Sequence, residues 1–297
     1  MDLDPWPEAP DLPTPIIMDQ SWRDAVFLHW RIPEPVAASF MPPGVAPDSF
    51  DGSAWVGLIG FRMLGAGLGR GPGIPYFGSF NEINVRLYSR EPDGTQGVVF
   101  LSLDASRLAV VLAARAAGIP YVWSRASFVR GDPLHPAEPG RPASPGSGRT
   151  FRGRFRDGFR DGFRDGTAGT AATPDVAAGH VVSSDVRAGL TTGYSVRRFR
   201  GARSDFAVVP EFDVEAADPL SVHLTARFGL HSRFRGRTLY IPNTHSAWPL
   251  YRARLTLLED QLVRAAGIEV PGLPESVLFS PGVRTQFGRP RVLGRAV

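Results

Sequence analysis

Ser79-Phe-Asn-Glu-Ile-Asn-Val-Arg-Leu-Tyr-Ser-Arg90 is the stretch on which the fold turns. Its residues alternate with period two: Ile83, Val85 and Leu87 point one way, while Glu82, Asn84, Arg86 and Tyr88 point the other. Pro92-Asp93-Gly94 is a turn signal and residues 98–103 resume an apolar run, so the two segments predict an antiparallel hairpin. Upstream, residues 22–30 read as a first strand. Residues 55–63 carry apolar side chains on both faces, which predicts a central, buried strand. Residues 32–40, with Pro33 and Pro35 near the start, predict one short helix.

Downstream the pattern continues. Residues 106–117 predict a helix capped by Asp104 or Ser106 and stopped by Gly118. Residues 119–129, 180–201 and 205–212 are strand-like. Residues 220–232 and 237–241 predict a hairpin around Phe234-Arg235-Gly236. Ser246 is placed to cap a helix through Ala266, with Leu250, Leu257, Leu258 and Leu262 toward a core and Gly267 as its stop. Residues 277–279 and 283–286 close the sheet, and residues 65–73, with Gly at every second position, read as a flexible loop or lid. Strands outnumber helices and most neighbours are hairpin-joined, so the expected class is α+β with a largely antiparallel sheet.

Of the 297 residues, positions 131–180 hold ten Gly and six Pro with almost no aliphatic side chains. Such a stretch buries too little apolar surface to offset its ordering entropy, and disorder is expected. The expected organisation is an extended tail over 1–20 and one domain over 21–297, interrupted by that insertion at 131–180. Phe-Arg-Asp-Gly repeats three times at 155–166. As a helix the segment would present a Phe stripe to an anionic surface, but Gly153, Gly158, Gly162 and Gly166, each costing about 1 kcal/mol in a helix interior, favour a solvated repeat expansion.

The composition excludes several chemistries. All 33 basic residues are Arg, so no lysine side chain is present to form a Schiff base or to serve a phosphate-binding loop. Cys is absent, which removes thiol catalysis and thiolate metal sites. Arg70 and Pro72 stand where a dinucleotide-binding Gly pattern needs Gly, and no Gly-x-Ser-x-Gly elbow occurs. The six His form no close ligand pair, so neither metal nor cofactor is expected. The net charge of +4 is concentrated around the repeats, which argues against a nucleic-acid face. The N-terminus is acidic and Pro-rich, and no apolar run approaches the ~20 residues that span a bilayer, so a cytoplasmic protein with no membrane partner is expected.

The row Glu82-x-Asn84-x-Arg86 is the best candidate site: a carboxylate, an amide and a guanidinium on one sheet face suit a small polar ligand. The competing reading is the solvated face of an ordinary hairpin. If the face is enclosed, Arg86 is expected to pair with Glu82 or with a ligand anion. His245, beside a predicted helix start, is a candidate acid or base, although a His at a helix cap is more often structural.

Residues 22–30 (WRDAVFLHW), 48–57 (DSFDGSAWVG), 80–86 (FNEINVR), 100–105 (FLSLDA), Ile119-Pro-Tyr121 and 245–250 (HSAWPL) together resemble the uncharacterised YqjF-like family. That family resembles the acetoacetate decarboxylase-like superfamily. The resemblance implies a twisted, mainly antiparallel sheet closed into a barrel-like cone around a central cavity, with the Glu82 strand lining it. Gly118-Ile119-Pro120-Tyr121 resembles the decarboxylases' Gly-x-Pro-Lys segment with Tyr121 in place of the lysine, and Arg115 lies one position out of step with the arginine before it. The resemblance implies that Glu82 matches the cavity glutamate. Imine chemistry is closed to this chain.

The expected site is therefore Glu82, Tyr121 and His245 as candidate catalytic groups, with Asn84, Arg86 and Arg115 binding ligand. The expected function is a cytoplasmic pocket for a small carboxylate or other anion, with a cofactor-free lyase- or isomerase-like reaction if there is turnover. A non-catalytic ligand-binding or sensor module is the alternative, and an interaction protein recruited through the Arg/Phe segment a weaker one. A homo-oligomer is compatible with such folds.

Overall fold

A strand that is apolar on both faces needs cover on both, and the chain supplies it by closing its sheet twice. In the computed structural model, which describes residues 6–75, 78–107, 120–131, 190–199 and 201–293, the strands are β1 (Met18–Ile32), β2 (Ala46–Pro47), β3 (Ala54–Leu68), β4 (Phe80–Arg90), β5 (Gln96–Ala105), β6 (Tyr121–Gly131) and β7 (Thr191–Arg198). They continue as β8 (Arg203–Glu215), β9 (Gly229–Phe234), β10 (Arg237–His245), β11 (Tyr251–Asp260), β12 (Ser276–Phe287) and β13 (Arg291–Val292). Among the described residues the helices are short: α1 (Glu34–Ala38), α2 (Pro219–Thr225) and α3 (Leu262–Ala265). None of them is long and apolar enough to cross a membrane.

Among the described residues all thirteen strands belong to one sheet, antiparallel except where β5 meets β6 and β9. β12 pairs with β1, β10 and β11, and β5 pairs with β4, β6 and β9. Between these two junction strands, β1, β3 and β4 form a shared wall. The sheet returns on one side through β9 and β10, and on the other through β6, β7, β8 and β11. This is the expected largely antiparallel, barrel-like sheet with few helices.

The wall's two faces have different fates. Val26, Leu28, Val56, Leu58, Ile83, Val85 and Leu87 pack with Tyr194, Val196, Phe206 and Val208 into the main core. Gly60 permits this contact, because a Cβ there would stand 2.6 Å from the Tyr194 ring and 2.8 Å from Phe206. The opposite face carries Phe27, Ile59, Phe61, Met63 and Phe80, together with the polar row of β4. A bulge between Arg23 and Val26, where Asp24 adopts φ 53°, bends β1 as it crosses the wall.

Three expectations fail for local reasons. Residues 220–225 are helical, not extended: Asp218 caps Ser221 N at 3.0 Å and Pro219 fits the first helical turn. The helix expected over 246–266 is strand β11 followed by the single turn α3. Of the leucines behind that expectation, Leu250 precedes β11 and Leu262 lies in α3. Within the strand a bulge at Thr256 skips the register from Leu255 to Leu257, so Ala253, Leu255 and Leu258 share the core face at separations of two and then three. The glycine stretch 65–73 is only partly a loop, since β3 runs through Gly65 and Gly67 and pairs Gly67 with Asp19. The helix expected over 106–117, and the 131–180 insertion with its repeats, lie outside the described residues except at their edges.

Candidate functional site

The period-two row of β4 faces a cavity of about 370 Å³, lined mostly by apolar side chains. This is within the range of small-molecule sites. Glu82, Asn84 and Arg86 all line it, and the first two are 2% and 1% exposed, so the solvated-hairpin reading of this face is set aside. Tyr121, at the start of β6, is brought beside β4 because β5 lies between them: Glu82 pairs with Ala105 and Leu103 pairs with Tyr121. Its hydroxyl donates to Glu82 Oε2 at 2.7 Å, and Asn84 Nδ2 lies 3.5 Å from Oε1.

Burial dominates the electrostatics here. It raises the Glu82 carboxyl to about 7, partly opposed by the Tyr121 and Asn84 hydrogen bonds and reinforced by the charge of Asp104. Burial and then the neighbouring carboxylate push the Tyr121 phenol well above its ordinary value, so it stays a donor. Near neutrality the pair is a half-ionised carboxyl held by a protonated phenol, which can take up or release one proton.

Arg86 does not pair with Glu82. Its Nε donates to Tyr88 Oη at 3.2 Å and its Nη2 to the Leu224 carbonyl at 3.1 Å, at the end of α2. Its guanidinium lies 5.4 Å from the Tyr88 ring and 5.8 Å from that of Phe27. Tyr88 Oη in turn lies 2.6 Å from His29 Nε2. Burial, then the charge of Arg86, hold His29 well below its usual value, so the imidazole is neutral and accepts from the phenol. Gly57, opposite His29, makes room for that ring: a Cβ there would be 3.0 Å from it.

His245 lines the same cavity, at the end of β10 and not at a helix start. Its Nδ1 lies 2.8 Å from the Ser246 carbonyl and its ring is packed among Trp22, Phe228 and Trp248. Burial lowers its pKa, so it is neutral at pH 7 with its one N–H assigned to Ser246. Arg115 lies outside the described residues.

Sequence reasoning missed Arg227, another cavity-lining residue. It is 4% exposed, pairs with buried Asp48, donates to the His223 carbonyl at 2.6 Å, and lies 5.1 Å from the Tyr88 ring. Tyr88 is thus flanked by two guanidinium groups. Four buried polar atoms of lining residues have no partner among the described residues: Trp22 Nε1, Asn84 Oδ1, Arg227 Nη2 and Trp248 Nε1. No group of three His, Asp or Glu among the described residues is arranged to hold a metal.

Three solved structures share this fold across nearly the whole chain. The acetoacetate decarboxylase of Legionella pneumophila has a TM-score of 0.54 at 11% identity, covering 98% of this chain and 92% of that one. An acetoacetate decarboxylase-like enzyme from Sphingomonas wittichii RW1 gives 0.53 at 12%, covering 97% and 99%. The enduracididine biosynthesis enzyme MppR, complexed with pyruvate, gives 0.53 at 15%, covering 96% and 93%. Identities this low establish likeness of fold alone. In sequence, the Uncharacterized protein YqjF of Bacillus subtilis (strain 168) is 32% identical over 109 residues, 36% of this chain. The match spans 45% of that relative's length. The family model DUF2071, an uncharacterized conserved protein, matches residues 19–284, and the chain belongs to that family.

Proposed function

We propose that the cavity binds a small carboxylate or related anion, with the Arg86 guanidinium on the anion and the Glu82–Tyr121 pair beside it. The observation that carries this reading is a cation without a counter-ion. Arg86 lines a mostly apolar cavity, its partners there are the Tyr88 hydroxyl and a carbonyl, and it forms no ion pair among the described residues. A planar guanidinium held from one side presents its remaining donors as a fork, and a carboxylate matches that fork. One protein of the same fold is complexed with pyruvate, itself a small carboxylate.

Turnover on this reading is proton transfer without a cofactor. Glu82, poised near neutrality, takes a proton from carbon next to a ligand carbonyl. As its charge is lost, the one Tyr121 O–H turns from Oε2 to the ligand oxygen that gains charge. Return of the proton at a second position completes an isomerisation, and departure of a neighbouring group with the electron pair completes a lyase step. Asn84 orients the carboxyl, and His245 is the other group on the wall able to accept a proton. The reaction class is lyase- or isomerase-like, and the partner is a small anion in the cytoplasm rather than nucleic acid or membrane. A non-catalytic binding module is the second reading. It is favoured by one observation: both Glu82 oxygens already face donors, Tyr121 and Asn84.

A thermal-shift screen over small carboxylates tests the binding claim, because a ligand of the native state must raise the midpoint. Saturable stabilisation by a carboxylate in wild type, absent in Arg86→Leu, is expected. Turnover that follows a titration near pH 7 selects the enzyme, and binding without turnover selects the module. No stabilisation by any carboxylate would sink the reading.

A further inference from the structure

The Arg86 anchor accounts for only one part of the cavity wall. Most of the rest is apolar, and rings make up a large share of it: Trp22, Phe27, Phe61, Phe80, Phe100 and Trp248 line the cavity beside aliphatic side chains such as Ile59 and Leu103. Trp22 and Trp248 stack at 5.8 Å and 14°, and Phe27 meets Trp248 edge-on at 5.3 Å. Several of the other polar side chains there are held by the protein itself, although Arg227 Nη2 and the two indole N–H groups keep a free donor among the described residues. Thr225 bonds the Ser221 carbonyl at 2.6 Å, Arg227 is held by Asp48, and His245 by Ser246. At the mouth, Leu68 and Ile74 line the cavity while 74% and 43% exposed, so apolar surface continues out to solvent.

Size points the same way. A dry apolar cavity of roughly 150 Å³ accepts benzene, so about 370 Å³ has room for roughly fifteen non-hydrogen atoms. A three-carbon acid would leave most of this apolar wall facing water, an arrangement that apolar surface resists.

We propose that the ligand of this cavity is an apolar-bodied carboxylic acid of the aryl-alkanoate class, its carboxylate on Arg86 and its body among Trp22, Phe27, Phe61 and Trp248. This rests on the anion-binding reading above and supplies the other half of the molecule. The wall selects for the body by burial and for the head by charge, so neither a short acid nor an uncharged aryl compound satisfies both.

The test is calorimetric titration of the full chain with acetate, butanoate, hexanoate and 3-phenylpropanoate, and with 3-phenyl-1-propanol as the uncharged counterpart. Affinity is expected to rise about fourfold per methylene through hexanoate. The aryl acid should exceed acetate by at least about 50-fold, and the alcohol should bind at least about tenfold more weakly than the acid. Arg86→Leu should bring the acid down to the level of the alcohol. A flat series from acetate upward overturns the apolar body while the anion site stands. A rising series in which acid and alcohol bind equally overturns the anion site instead, and no binding by any compound overturns both.

Discussion

Tyr121 Oη and Glu82 Oε2 are joined by a 2.7 Å hydrogen bond between side chains 39 positions apart, both buried, in a cavity that also holds the Arg86 cation. The bond lowers the carboxyl's pKa while burial raises it, and burial wins. That balance places one titration near neutrality, and it makes the site visible in stability as well as in activity.

Glu82 titrates at about 7 in the folded chain against an ordinary 4.5. The folded pKa lies above the unfolded one, so the native state holds the proton more tightly. The associated stability is fully present below about pH 4.5 and is lost as pH rises through about 7. Wild type should therefore lose on the order of 3 kcal/mol across that window relative to Glu82→Gln. Urea unfolding of both proteins at half-unit steps checks this, and parallel curves would refute the buried, neutral carboxyl.

Tyr121→Phe removes the donor that opposes burial. The Glu82 titration should move upward from about 7, read by carbon NMR of labelled glutamate. Above that pH the variant should be less stable by about 1.5–3 kcal/mol, the usual worth of a hydrogen bond to a charged group. A titration that stays put would mean the phenol does not sense the carboxyl.

Arg86 and Glu82 are separate in the structure, and that changes what their double variant should do. Arg86→Leu gives up two hydrogen bonds, to Tyr88 and Leu224, so a loss of about 1–2 kcal/mol is expected. Adding Glu82→Gln should not rescue it, and the coupling should stay within about 0.5 kcal/mol. Strong rescue would restore the direct ion pair, one of the two partners for Arg86 expected from sequence.

The Asp48–Arg227 pair is buried on both sides, at 4% and 3% exposure. Asp48→Asn strands the cation and should cost about 3–5 kcal/mol in chemical denaturation. Glu269→Gln breaks the exposed pair with Arg264 and should leave stability unchanged. Equal effects from the two would contradict the burial argument.

How much of this was legible follows from what each signal encodes. The polar row of β4 was readable because a strand's period of two fixes which side chains share a face. Tyr121 was found through the resemblance of Gly118-Ile119-Pro120-Tyr121, since nothing in its spacing points to Glu82. Arg227 and Asp48 are 179 positions apart, and His29 and Tyr88 are 59 apart. The first pairing exists only once α2 has packed against the wall and the second only once β3 has set β1 beside β4, and no local pattern records either. The Asp218-Pro219 cap was a readable signal for α2 that the apolar run after it obscured. At Thr256 the bulge broke the strand's period of two, so the alternation that would have marked β11 was lost.

The central claim is that Arg86 holds an anion next to a titrating Glu82. Calorimetry with acetate and 3-phenylpropanoate at pH 6 and pH 8, on wild type, Arg86→Leu and Glu82→Gln, tests it most directly. An anion is repelled by ionised Glu82, so wild-type affinity should fall as pH rises through about 7, while Glu82→Gln should show no such fall. Arg86→Leu should weaken binding about 10- to 150-fold, the worth of a charged hydrogen-bonding partner. Binding that is indifferent to Arg86 and flat with pH, or the absence of binding by either acid, would contradict the account.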